Sequence, residues 1–434
     1  MVVFMNDFSR PTPESSPSAT PAEAVPPVAG PPDTEVRAQC TSEILGEEAI
    51  MDSVSSVRDS LPEQYHAHFE TLRQEIIDFT KAHGIPKESL GSPDLLREAT
   101  SKLSIPDLER LALLLERFEY LLKNREPKKE DYTEALEYAE EFYHLREQYD
   151  FQVKFLEQVG ILEGDAIVGI DGKTYPIPTL EQIASRLFEH RETLETKRDQ
   201  GFTKLLLVPF GMSLRDLIGT FSFFASLYSE AHPDFKLDRY KVIKLYGVWN
   251  TDHFQLSYFP KLEEKHRGYF KREILDDSFQ DLSSFLGWRV HLFQPSNPSD
   301  SYSPGFAHIP RQGKGIPQGD LVFRPPLEAG KSLNEYLSIL QKARGDKDSP
   351  YHGETGLTPE DWIMAFMIHL SETGKPLDDV LSEKESACCF SEVFSSFETI
   401  MEGRWDQSSL QVILDHDILR DKNLQVGIRT SMII

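Results

Sequence analysis

At Gly160 the hydrophobic rhythm of this chain changes, and that change constrains the fold more than any other feature. Before it, apolar residues recur at helical spacing. Phe69, Leu72, Ile76 and Phe79 form one series, and Leu108, Leu111, Leu114, Leu115, Phe118 and Leu122 a second. Tyr132, Leu136, Ala139, Tyr143, Tyr149, Val153 and Leu156 belong to a third. Residues three and four apart share a helical face, so each series predicts an amphipathic helix. Ser60 with Glu63 has capping-box spacing, and Gly84 suits a helix stop. The Glu-Pro-Lys-Lys stretch at 126–129 predicts a turn that folds 104–124 and 130–159 into a long helical hairpin.

Beyond Gly160 short apolar runs alternate with capped helices. Residues 166–178 predict a hairpin with Asp171-Gly172 as a type I′ turn. Leu205–Val208, a pair formed by Lys241–Val248 and Phe254–Phe259, and Trp288–Phe293 predict strands. Thr179 with Gln182 opens a helix running to about Gln200, and Ser213 with Asp216, Ser332 with Glu335 and Thr358 with Asp361 open others. Residues 295–330, rich in Pro and Gly, predict a long surface loop, and 410–414 and 424–434 short β-rich segments. Strands mixed irregularly with helices point to an α+β fold. The expected division is a disordered Pro-rich tail over 1–50, a helical arm or hairpin over 51–160, a mixed α+β domain over 161–330, and a helical then β-rich region over 331–434.

Charge and cysteine content restrict the function classes. Lys+Arg number 46 against 71 Asp+Glu, a formal net charge of -25. Such a surface repels nucleic acid and anionic membranes. No apolar run approaches the roughly 20 residues that span a bilayer, and the amino-terminal stretch turns polar at Asn6 and Asp7 without a basic lead. Cys40, Cys388 and Cys389 lack the spacing of a disulfide framework or zinc site. A cytoplasmic protein without membrane partner, metal or cofactor is expected.

Each catalytic motif fails on a particular residue. Gly330-Lys331-Ser332 resembles the end of a phosphate-binding loop, but Pro325 occupies the place of the first glycine, whose bare backbone wraps phosphate. Gly313, Gly315 and Gly319 lack the strand-to-helix context of a dinucleotide cradle, although a loop of this length suits a lid or binding segment. His352, Glu354, Glu360, Asp361 and His369 offer metal or acid–base groups without a ligand spacing, and His369 shares a stripe with Trp362 and Phe366, as a core-edge histidine does. Asp415-His416-Asp417 has no partner the sequence identifies, and Ala-Cys-Cys-Phe favours inert burial of Cys388 and Cys389. Between 236 and 272, Lys236, Arg239, Lys241, Lys244, Lys261, Lys265, Arg267, Lys271 and Arg272 interleave with aromatic residues, a composition that grips phosphates and stacks bases or else divides between a sheet's two faces.

Three stretches, 194–210, 356–370 and 426–434, together resemble a family of large proteins of unassigned function from reduced-genome (candidate phyla) bacteria. Its members often end in Gly-Val-Arg-Pro or Gly-Val-Arg-Thr followed by alternating apolar residues. That ending is similar to the closing strand of a C-type-lectin-like, formylglycine-generating-enzyme-like domain, as in the variable targets of diversity-generating retroelements. Gly427-Ile428-Arg429 matches it, Thr430 replaces the commoner Pro, and Cys388-Cys389 does not match the catalytic cysteines. The resemblance implies binding rather than catalysis, with the variable surface falling over Trp405–Asp417.

The sequence therefore predicts a non-enzymatic binding or interaction protein whose C-terminal surface includes Arg404, Trp405, Asp406, Asp415, His416 and Asp417. Its partner would be a protein or a small ligand, with the helical region available for oligomerisation. The alternatives are an enzyme drawing on histidines and carboxylates of 346–417, and a nucleic-acid binder using 236–272.

Overall fold

The computed structural model describes the chain outside residues 1–57, 59, 63–64, 87–88, 91–92, 101–102, 104, 129–131, 239–240, 246–255, 260–267, 277–284, 382–384, 395–398 and 419–421. The Pro-rich tail and most of the basic–aromatic stretch lie outside the described residues. What is described is a mixed α+β fold, and none of its helices is long and apolar enough to cross a membrane.

The periodic segments before Gly160 do form helices, but they divide between two cores. Helix α1 (His66–Ala82) and α3 (Ile105–Asn124), with α2 (Pro93–Ala99) between them in sequence, bury Phe69, Leu72, Ile76, Leu114, Phe118 and Leu121 together. Helix α1 starts later than the Ser60 signal, with Tyr65 as its N-cap and no side-chain cap. The third series is broken at His144, which takes φ +49, into α4 (Thr133–Tyr143) and α5 (Leu145–Gln158). The expected hairpin is not how these helices pack. Helix α3 lies on α1, whereas α4 packs on α6 (Leu180–Glu189) and α5 on strand β3 (Lys204–Val208). A sequential turn brings helices close, but the apolar stripe decides where each one is buried.

Ala135, Leu156, Ile183, Leu207, Phe221, Leu292, Phe366 and Leu414 belong to one core that spans the remainder of the chain, including residue 330 where a domain boundary was expected. The core lies between layers. A four-stranded antiparallel sheet has the order β3, β6 (Arg289–Phe293), β12 (Ser431–Ile433), β7 (Glu354–Thr355). The larger sheet runs β11 (Val426–Ile428), β8 (Ala387–Phe394), β9 (Thr399–Asp406), β10 (Gln411–Ile418), β4 (Ile243–Leu245), with β5 (Ser257–Tyr258) also pairing with β8. The expected pairing of β4 with β5 does not occur: β4 adds in parallel to β10, and β5 lies against β8. The first hairpin forms from β1 (Ala166–Val168) and β2 (Thr174–Pro176). Its turn is not type I′, because only Gly172 in that loop has positive φ and its N–H closes onto the Gly169 carbonyl at 2.9 Å.

Between the sheets runs α11 (Pro359–Thr373), which touches β3, β8, β9 and α8 (Leu214–Ala231). Trp362, Ile363, Met364, Ala365, Phe366, Met367, Ile368 and Leu370 are all buried, as a helix apolar on every side requires. Gly403 on β9 permits this approach. A Cβ there would sit 2.8 Å from both Phe390 and Trp362. Three elements complete the body: α7 (Arg191–Asp199), the short α9 (Lys271–Ile274), and α10 (Leu333–Gly345) beside β7 and β8.

Candidate functional site

The N-terminus of α11 carries carboxylates into the core. Thr358 caps it: its N–H donates to Asp361 Oδ2 at 2.8 Å, and its hydroxyl accepts from the Asp361 N–H at 3.3 Å. Asp361 also takes Arg289 Nη1 at 2.9 Å and His291 Nε2 at 3.1 Å. The opposite ring nitrogen of His291 faces Ser431 Oγ at 2.8 Å. Serine, histidine and aspartate thus stand in a line, as in a hydrolase relay. All three are wholly buried, and Ser431 lines neither of the two clefts described below. The line is therefore read as a core hydrogen-bond chain that fixes β6 and β12 to α11.

Neighbouring charges are matched in the same way. Lys271 meets Glu360 at 2.5 Å, and Tyr258 donates to the same carboxylate at 2.7 Å. Arg289 Nη2 reaches Glu392 at 2.6 Å. Arg429 Nη2 and Trp362 Nε1 share Asp378, at 2.6 and 2.8 Å. His369 is a core-edge histidine: it accepts from the Phe306 N–H at 2.9 Å, and burial lowers its pKa to about 3. His352 faces the Ala343 carbonyl at 3.0 Å. The histidines and carboxylates of 346–369 are thus divided among separate clusters, and no group of three such side chains among the described residues is placed to hold a metal.

The glycine-rich loop does cradle an anion, and the anion is the protein's own. Glu328 accepts from the Gly313 N–H at 2.9 Å and the Gly315 N–H at 2.8 Å, which lowers its pKa. Ser332 and Glu335 cap α10, with the Ser332 N–H 2.8 Å from Glu335 Oε2. Cys388 and Cys389 are buried, and burial pushes the Cys388 thiol up.

The six residues expected to form a C-terminal surface fall on different parts of the β9–β10 hairpin. Trp405 is not on the surface: it is 3% exposed and belongs to the core, because its side chain points to the hairpin face that packs inward. Register pairs Arg404 with Ile413 and Glu402 with Asp415 on one face, and Trp405 with Val412 on the other. Arg404 forms ion pairs with Glu402 and, at 3.4 Å, with Asp415. Asp406 accepts from Ser408 and Ser409 and so closes the hairpin tip. His416 and Asp417 belong to β10, but their side chains lie outside the described residues.

Of the six, Trp405 borders a cleft. The space is about 730 Å³, where the C-terminal ends of α8 and α11 meet the hairpin tip, and Tyr228, His232, Phe235, Lys236 and Asp379 line it too. Phe235 packs on Trp405 with ring centroids 5.5 Å apart, and Tyr228 stacks on His232 at 4.0 Å. The wall is held rigid: the Trp405 N–H donates to the Asp378 carbonyl at 3.1 Å, and the Asp238 N–H to the Leu410 carbonyl at 2.9 Å. Both Asp378 and Leu410 take left-handed φ, +57 and +55, a conformation that costs a non-glycine residue about 1 kcal/mol or more. Tyr228, His232 and Phe235 carry no sequence signal for this cleft, since no spacing links α8 and the residues after it to β9.

No family model matches the chain, and neither a curated protein nor a solved structure resembles it significantly.

Proposed function

We propose that the protein is a non-enzymatic binding protein whose ligand sits in the Trp405 cleft. The observation that carries the reading is a cleft of about 730 Å³ lined by Tyr228, His232 and Phe235, with Phe235 packed on the buried Trp405, and with Asp234 and Asp379 on its wall. Clefts of this size suit a compact ligand, with apolar surface for the bulk and few polar groups for orientation. The polar groups on its wall include the carboxylates of Asp234 and Asp379 as acceptors. A ring-shaped ligand with one apolar face and hydroxyl or ammonium donors is the matching chemistry. Left-handed backbone at Asp378 and Leu410 is consistent with a wall shaped for a ligand.

Saturation-transfer NMR with methyl pyranosides and with aromatic amines is the test. One of these sets should receive saturation from the protein, and Phe235→Ala or Asp379→Ala should abolish the transfer while the circular dichroism spectrum is unchanged. Absence of transfer from both sets, or transfer that survives both substitutions, would remove the cleft from consideration.

A further inference from the structure

On the other side of Arg429 lies a second cleft, of about 450 Å³, between the 295–330 loop and the β11–β12 junction. Its charged lining is one-sided. Lys314, Arg324 and Arg429 line it, and no Asp or Glu does, although the chain as a whole carries a formal charge of -25.

The buried charges beneath do not balance. Arg324 holds Glu354 with two nitrogens, Nε at 2.8 Å and Nη2 at 2.7 Å. Lys197 holds the same carboxylate at 2.7 Å, and its other partners are the uncharged Gln200 side chain and the Pro350 carbonyl. Two cations thus share one anion, and the side chains of all three are at most 6% exposed. An unmatched charge in such a place is costly unless something of opposite sign completes it. By contrast Arg429 and Asp378 match one to one, as do Lys271 and Glu360.

Arg324 is also prepared to receive a ligand. Its guanidinium lies between the Phe202 and Tyr351 rings, 5.3 Å from each centroid, which fixes its plane. Nη2 makes a further contact with Thr430 Oγ1 at 3.0 Å, while Nη1 has no hydrogen-bond partner among the described residues. Arg429 Nε is likewise buried without one. Lys314 stands exposed on the loop, with no ion-pair partner among the described residues.

We infer that this cleft binds a small organic oxyanion, a phosphate or carboxylate group held by Arg324 Nη1 and Lys314, with Arg429 behind. The anion supplies the negative charge that the Lys197–Glu354–Arg324 cluster lacks. This inference is independent of the Trp405 cleft, which shares none of its lining residues.

Thermal unfolding and calorimetric titration of the full chain with inorganic phosphate, and separately with succinate, test it against sodium chloride at equal ionic strength. At least one of the two oxyanions should raise the melting temperature where chloride does not, and the one that does identifies the anion class. Lys314→Glu should weaken that anion at least about tenfold, the loss of one charge-assisted contact. Arg324→Lys, if folded, should weaken it further. Equal effects of chloride and both oxyanions, or binding that Lys314→Glu leaves intact, would overturn the assignment.

Discussion

Arg289 faces two carboxylates with a single positive charge, and the proton that resolves this conflict has a definite address. Burial raises the Asp361 carboxyl, but Arg289 and His291 outweigh it and hold the pKa at about 2. Burial raises Glu392 as well, Arg289 offsets it only in part, and the Asp361 charge adds to the rise, so its pKa is pushed up to about 7. Native protein therefore keeps a proton on Glu392 between its ordinary value of 4.5 and about 7, where the unfolded chain has lost it. More protons on the native state means that stability falls as pH rises through this window. The loss is on the order of 3 kcal/mol, complete above pH 7. Glu392→Gln removes the titrating group, so denaturant titrations at pH 5 and pH 7.5 should differ less for the variant by about that amount. An unchanged difference would place the proton elsewhere. None of this is legible in the sequence, where Glu392 is one acid among many. Only folding puts it beside Arg289 and Asp361, 103 and 31 positions away in the numbering.

Two helices show how far a local signal reaches. Ser213-x-x-Asp216 and Thr358-x-x-Asp361 have the same spacing, and both cap their helices as that spacing predicts. At α8 the pair is exposed, with Ser213 donating to Asp216 at 2.6 Å. Asp216→Asn there should cost no more than about 1 kcal/mol, the ordinary worth of an acid at a helix start. At α11 the same motif is wholly buried and Asp361 holds Arg289 and His291. Asp361→Asn replaces the charged acceptor of two buried donors, while Glu392 can still ionise against Arg289, so it should cost about 2–3 kcal/mol, more than the exposed change. Urea melts of the two variants measure the contrast, and equal costs would show that the buried cluster contributes nothing beyond the cap. Element positions were readable for this reason: caps and periodicity act within a few residues. Pairing was not, as β4 and β5 show by choosing different neighbours.

At the scale of the molecule the two larger cores set the unfolding behaviour. Residues 61–121 contribute to one and 135–434 to the other, with a ring contact between His68 and Tyr132 near the boundary. Separate cores of this kind unfold as separate cooperative units. Calorimetry should resolve two transitions, and a chain beginning at residue 126 should retain one of them at an unchanged temperature. A single transition lost entirely on truncation would show that the helical unit is required by the body. The α+β character of the body was predicted by the change of period at Gly160, because hydrophobic spacing alone distinguishes a helical stripe from a strand. The starts of α6, α8, α10 and α11, the buried strands at Leu205–Val208 and Arg289–Phe293, and the core-edge position of His369 were determined by sequence for the same local reason.

Tertiary structure alone decided the rest. It placed α11 between two sheets, divided the expected hairpin between two cores, filled the Gly313–Gly315 cradle with Glu328, and gathered Tyr228, Phe235 and Trp405 along one wall. Those outcomes depend on contacts between residues tens to hundreds of positions apart. The interactions that select them, close packing and the matching of buried charge, act across space and leave no spacing in the chain to read.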